Sequence, residues 1–287
     1  MQIYITANLM EKMKNNYKIN KIKYIDNKIS KDKKLIIKKE RKMKNKPIFY
    51  VVKDYEALSE KCAEEIIKYA EGKDKITLGT STGSTFEKTY KLLEGKLSNV
   101  TAVQQQDFYA GNMEYQNEIF NRVVSKIPGN PEYRYTYWDG NEDTKQTSID
   151  IHENNWKRTE KEDTIQLLGV GVEGHIGFNE AGDEGTNPKV GVHTLKLSES
   201  TIKVNARFYN SIDEVPTKTI TSGVYNLIEQ TKMILFAASG ENKAQAVHDA
   251  FFGEVSNACP ASFLQLYKEP IVVVVDEKAA SKIKDKI

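Results

Sequence analysis

Apolar residues recur along this chain in two alternating rhythms. Short apolar runs, rich in β-branched residues, occur at 48–52, 76–78, 100–103, 164–168, 232–237 and 271–275. Between them the apolar positions return every three or four residues, as at Leu58, Cys62, Ile66 and Tyr69. The first rhythm predicts strands and the second predicts helices with one buried face. Helices are expected after Asp54, which is placed to cap, and near 86–93, 143–160, 223–229 and 241–252. Strands that alternate with helices at this spacing predict an α/β fold, with a mostly parallel sheet covered on both faces. Residues 272–275 are four consecutive valines, as expected for a central strand buried on both sides. No internal repeat or Pro/Gly-rich linker divides the body, so a single domain is expected.

Charge changes this picture at one end. Residues 1–46 carry 15 Lys/Arg against 4 Asp/Glu, whereas residues 47–287 carry 27 against 36. The basic stretch contains neither glycine nor proline. It reads as a basic arm, a disordered extension, or sequence translated upstream of Met43. An extension outside the functional fold is expected, with the fold itself spanning 47–287. The mildly acidic body gives no electrostatic reason to expect a nucleic-acid partner. Cys62 and Cys259 lack framework spacing and suit a reducing compartment. No apolar run approaches the ~18 residues that a membrane span needs, and no secretory signal pattern opens the chain. A cytoplasmic protein without membrane contacts is expected.

Candidate chemistry lies in three loops that each follow a predicted strand, where open α/β sheets bind ligands. The first contains Gly83, Ser84 and Thr85 just before a helix, which offers backbone N–H groups, two hydroxyls and a helix dipole to an anion. It lacks the Gly-Lys-Ser/Thr ending of a nucleotide P-loop, and a plain capped turn is the other reading. The second, 104–111, carries Asp107 followed by Phe108 and Tyr109. Asp107 is either a shielded general base or a solvated loop aspartate. The third, 167–182, has glycines at 169, 171, 174 and 177 and holds Glu173, His175 and Glu180. An imidazole near two carboxylates is an acid–base group; the alternative is a glycine-rich turn with solvated acids. The four histidines (152, 175, 193 and 248) show no metal-ligand spacing, and no Gly-x-Ser-x-Gly elbow is present. Together the three loops suit proton shuttling on a phosphorylated small molecule.

These loops carry a family resemblance. LGTSTGSTFEKTYKLL at 78–93, DFYAG at 107–111, GVGVEGHIGFNEAG at 169–182, NARFY at 205–209, VPTKTITSGV at 215–224 and SGENKA at 239–244 occur in one order over residues 47–287. In that order they resemble the glucosamine-6-phosphate deaminase/isomerase family. The resemblance implies a Rossmann-like three-layer α/β sandwich, with an amino-hexose 6-phosphate converted to fructose 6-phosphate and ammonia without a cofactor or metal. Carried over by position, Asp107 is the C2-proton base and His175 the ring-opening histidine. Glu173 and Glu180 become that histidine's carboxylate partners. Phosphate contacts fall on Gly83, Ser84, Thr85, Arg207 and Lys243.

Some positions depart from the family's pattern. Glu173 stands where aspartate is usual, Phe108 replaces an acidic residue, and Phe86 replaces a proline. The positions that bind an allosteric activator in regulated members are Gly191 and His193 here, and little sequence follows the last strand. An unregulated monomer or low-order oligomer is therefore expected. The departures leave the glucosamine or galactosamine epimer open as substrate. The other readings are a 6-phosphogluconolactonase-like hydrolase, which would not need a C2 base, and a non-catalytic sugar-phosphate sensor.

Overall fold

A computed structural model describes residues 46–206 and 209–287, together with two short pieces near the N-terminus. Those pieces pair as an antiparallel ribbon, Tyr4 opposite Ile36 and Ile5 opposite Leu35. They lie in a unit spanning 1–42, separate from the unit spanning 43–287. The rest of the extension expected over 1–46 falls outside the described residues, save Lys46.

The larger unit begins with β1 (Ile48–Val52) and α1 (Tyr55–Ala70), whose first turn is closed by the Asp54 carboxylate accepting from Ala57 N at 3.0 Å. The chain continues through β2 (Ile76–Thr80), a 3₁₀ turn at Ser84–Phe86, α2 (Glu87–Leu92) and β3 (Val100–Gln105). Then come β4 (Asp107–Tyr109), α3 (Met113–Arg122), β5 (Glu132–Arg134), α4 (Glu142–Thr159) and β6 (Thr164–Leu168). The last part runs through β7 (His193–Lys196), α5 (Glu199–Asn205), β8 (Lys218–Thr221), α6 (Val224–Glu229), β9 (Met233–Ala238), α7 (Ala244–Phe252) and β10 (Ile271–Asp276).

Seven strands form one parallel sheet in the order β1-β10-β9-β6-β2-β3-β5. The strand pleat sorts its side chains into two cores. Ile271, Val273 and Val275 of β10 join Ile234 and Phe236 of β9 on one face, under Trp156, Leu227, Val247 and Phe251. Val272 and Val274 join Leu235, Ile165 and Leu78 on the other, under Leu58, Cys62 and Ile66 of α1. Each such side chain removed from water stabilises the fold by about 1.5–3 kcal/mol before entropy is counted. The unit is thus the expected α/β sandwich with helices on both faces.

A second sheet does not follow from the hydrophobic pattern. Strands β4, β8 and β7 pair antiparallel, with Thr221 opposite both Asp107 and His193. Strand order also fixes where a ligand can enter. From β2 the chain builds outward to β5 at one edge, then returns to place β6 on the other side of β2. The loops after β2 and β6 therefore part at a topological switch point, where α/β sheets open a crevice.

Candidate active site

The crevice brings the three predicted loops together. Glycine makes the approach possible at two positions. A Cβ on Gly171 would lie 2.1 Å from His175 Cε1, so the imidazole rests on the bare Gly171 backbone. Gly177, at φ +59°, faces Asp107: a Cβ there would lie 2.7 Å from Oδ1 and 3.2 Å from Oδ2. The β2 loop meets the glycine loop at its start, Thr85 Oγ1 lying 3.2 Å from the point a Gly169 Cβ would occupy.

Asp107 opens β4 and is only 3 % exposed. Its side chain is not a solvated loop aspartate. Oδ1 accepts from Thr221 Oγ1 at 2.5 Å and from the Phe178 N–H at 3.3 Å. Burial pushes the carboxyl up to about 7, against the pull of those two donors. The adjoining backbone is braced as well. Gln105 Nε2 donates to Asp107 O at 2.7 Å, while Ser222 Oγ and N reach Gln106 O at 2.8 and 3.0 Å. Behind lies fully buried His152, Nε2 2.9 Å from Ser222 Oγ, its ring edge-on to Phe108. Burial lowers its pKa to about 4, which keeps it neutral. Phe108 belongs to this core rather than to the crevice, and Tyr109 packs on Phe178 at 5.0 Å.

His175 is half-buried on the glycine loop, and its Nδ1 has no hydrogen-bond partner among the described residues. Burial holds its pKa below the ordinary histidine value, while the charge of Glu180 opposes this, Lys243 reinforces it and Glu173 opposes it. Neither carboxylate hydrogen-bonds to the imidazole. Glu180, buried, accepts from Ser198 Oγ at 3.2 Å; Glu173, exposed, accepts from Ser200 Oγ at 2.9 Å. The two serines sit 2.9 Å apart at the start of α5, where Ser198 also caps the helix. The Glu173 carboxylate thus ends on Ser200 at a helix N-terminus rather than on the histidine.

The Gly83-Ser84-Thr85 turn stands at the start of the 3₁₀ turn, and Gly83 supplies no side-chain cap to its N–H groups. Lys243 ends a 3₁₀ turn that follows Gly240, whose φ is +97°. Asp276, at the end of β10, holds that turn by accepting from Ser239 Oγ at 2.6 Å and from Gly240 N. Arg207 lies outside the described residues. Sequence reasoning missed Thr221, Ser198 and Ser200. Thr221 lies inside the VPTKTITSGV segment, but nothing in its spacing sets it opposite Asp107. Among the described residues no group of three His, Cys, Asp or Glu side chains is placed to hold a metal ion. No described helix is long and apolar enough to cross a membrane.

A buried acid and a histidine loop meeting at a switch-point crevice form the arrangement of an α/β enzyme. No family model matches the chain. Curated relatives do: it is 33% identical over 249 residues to glucosamine-6-phosphate deaminase of Clostridium perfringens, covering 82% of this chain and 98% of that protein. The Bacillus velezensis glucosamine-6-phosphate deaminase is 37% identical over 238 residues, covering 79% and 95%. The chain belongs to the glucosamine-6-phosphate deaminase family. A solved monomeric glucosamine-6-phosphate deaminase superposes with a TM-score of 0.71 at 31% identity, covering 82% of this chain and 99% of that one. The 6-phosphogluconolactonase of Trypanosoma brucei shares the fold alone, with a TM-score of 0.65 at 19% identity.

Proposed function

We propose that this chain converts an amino-hexose 6-phosphate, glucosamine 6-phosphate or its galactosamine epimer, to the ketohexose 6-phosphate and ammonia. The observation that carries this reading is Asp107, a buried carboxyl near neutrality, held by Thr221 and the Phe178 N–H in the crevice that also receives His175. A base that must both take and return a proton works best with a pKa close to the operating pH.

His175 protonates the ring oxygen as the pyranose opens, and the charges of Glu180 and Glu173 support its protonated form. Asp107 removes the C2 proton, and the electron pair moves toward the C1 carbonyl, whose oxygen takes back the proton it released on ring opening, to give an enolamine. Redelivery of that proton to C1 leaves an iminium at C2, which water hydrolyses to the ketone and ammonia. The Gly83-Ser84-Thr85 turn, Lys243 and Arg207 receive the phosphate, for which backbone donors and cations are the matching chemistry. The relative's monomeric state supports a monomer, and the lack of a membrane-crossing helix among the described residues is compatible with a cytoplasmic location.

The test is direct. Purified protein is given glucosamine and galactosamine 6-phosphates, with ammonia and ketose phosphate as readouts and 6-phosphogluconolactone hydrolysis as the counter-assay. Turnover of an amino sugar that disappears in Asp107→Asn supports the reading. Lactone hydrolysis without ammonia release rejects it.

A further inference from the structure

Gln106 is buried beside the proposed base and has no place in the mechanism above. Its carboxamide is oriented from behind. Gln166 Nε2 donates to Leu167 O at 3.0 Å, an acceptor that cannot be reversed, and to Gln106 Oε1 at 3.2 Å. Gln106 Nε2 therefore points away from Gln166. It is fully buried and without a hydrogen-bond partner among the described residues. Native structures leave few buried donors unmet, because each has given up water and gained nothing in return.

What this donor faces is informative. A Cβ on Gly177 would lie 2.2 Å from Gln106 Nε2 and 2.7 Å from Asp107 Oδ1. The missing Gly177 side chain thus leaves one shared space for the amide and the carboxylate. Both donors to Asp107 go to Oδ1, and Oδ2 accepts from none of the described residues.

We propose that Gln106 is a positioning residue for Asp107, its carboxamide donating to the carboxylate whenever that carboxylate carries its charge. The bond strengthens on ionisation, because a charged acceptor binds an N–H about twice as strongly as a neutral one. It is released when Asp107 takes the C2 proton. Gln106 thereby works against burial and holds a usable fraction of the base ionised at neutral pH. The proposal rests on the reading of Asp107 as the base.

Other titratable groups surround the site. The glycine loop carries Glu173, His175 and Glu180, the turn after β9 carries Lys243, and β7 places His193 across from Thr221. His152 of α4 stands behind the Gln106 carbonyl at 3.2 Å. None of them hydrogen-bonds to the Asp107 carboxylate, and burial keeps His152 neutral.

The experiment is the pH profile of kcat/KM for the full chain on its amino-sugar phosphate, in wild type, Gln106→Met and Gln106→Asn. Methionine keeps the length and removes the donor; asparagine keeps the amide and withdraws it by one methylene, and serves if Gln106→Met does not fold. Either variant is expected to lower kcat/KM about tenfold on the acid side, where Asp107 must lose a proton, as for a rise of about one pH unit in its titration, with the alkaline side, where Asp107 is already ionised, unchanged. Glu180→Gln, run alongside, reports the limb that belongs to His175. An unmoved acid limb in a variant with wild-type melting overturns the proposal, and so does a loss that is uniform across pH. Retained turnover in Asp107→Asn would instead overturn the base assignment itself.

Discussion

Thr221 Oγ1 donates to Asp107 Oδ1 at 2.5 Å, across a β4–β8 register that sets the two residues directly opposite each other. The antiparallel sheet is thus the device that brings a hydroxyl to the proposed base. Thr221→Val keeps the branched shape and removes the donor. The carboxylate then loses its shortest hydrogen bond, and its pKa rises further above the ordinary carboxylate range. The acid limb of the pH–rate profile should move up by about one unit, with about tenfold lower activity at neutral pH. A profile that superposes on wild type would show that the hydroxyl does not tune the acid.

Asp107→Asn should stabilise the protein while abolishing turnover. Burial raises the Asp107 pKa from 3.8 to about 7. The folded state therefore binds the proton more tightly than the unfolded chain does. The stability this confers is complete below about pH 3.8 and is lost as pH rises through about 7. Asparagine, never charged, escapes the loss. Denaturant unfolding at pH 8 should show the variant more stable by up to a few kcal/mol, with the gap closing toward pH 4. A variant less stable than wild type at pH 8 would contradict the buried-charge account.

The two sheets were legible from the sequence to very different degrees. β10 and β9 announce themselves as apolar runs, because strands buried on both faces need no polar positions. β4 and β8 are three and four residues long and mix Asp, Lys and Thr with Phe, Tyr and Ile. Their pairing comes from tertiary contact, which no local period encodes. The edge strand β5, three residues at Glu132–Arg134, was missed for the same reason. Asp107 and His175 could be picked out by residue type and by the strand ends they follow. The attachment of Glu173 to Ser200 depends on where α5 docks, and sequence spacing says nothing about that.

Gly171→Ala is expected to remove activity with a modest effect on folding. The added methyl would sit 2.1 Å from His175 Cε1 and 2.3 Å from Nδ1. The ring must leave that place, and misplacement of a reacting group by about 1 Å costs on the order of a hundredfold in rate. Gly171 does not have a positive φ, so no backbone strain is added. A kcat within about threefold of wild type would mean that His175 acts from another position.

Arg134 and Glu162 offer a contrast, a stabilising pair at the opposite end of β6 from the glycine loop. The guanidinium, 3 % exposed, meets the carboxylate in two bonds of 2.6 and 2.8 Å. Arg134→Ala leaves Glu162 without that partner and opens a buried space, so a loss of about 3 kcal/mol is expected by denaturant unfolding. kcat per folded molecule should be unchanged. A selective fall in kcat with normal stability would reassign the pair to the active site.

Glu180 and Glu173 should differ in what they do to His175. Both raise its pKa through charge alone, since neither bonds to the ring, and Glu180 has the larger effect. Removing an anion disfavours the imidazolium, so each substitution lowers the histidine pKa and shrinks the protonated fraction at a given pH. Glu180→Gln should therefore shift the His175 ring titration, followed by NMR, further down than Glu173→Gln does. Ring opening should weaken in the same order, seen as a larger fall in kcat/KM for Glu180→Gln at neutral pH. Ser200→Ala is the complementary variant, because it releases Glu173 from α5 and frees its carboxylate to approach the imidazole. His175 should then titrate higher than in wild type, and an unchanged titration in Ser200→Ala would show that the serine does not hold the acid away from the ring.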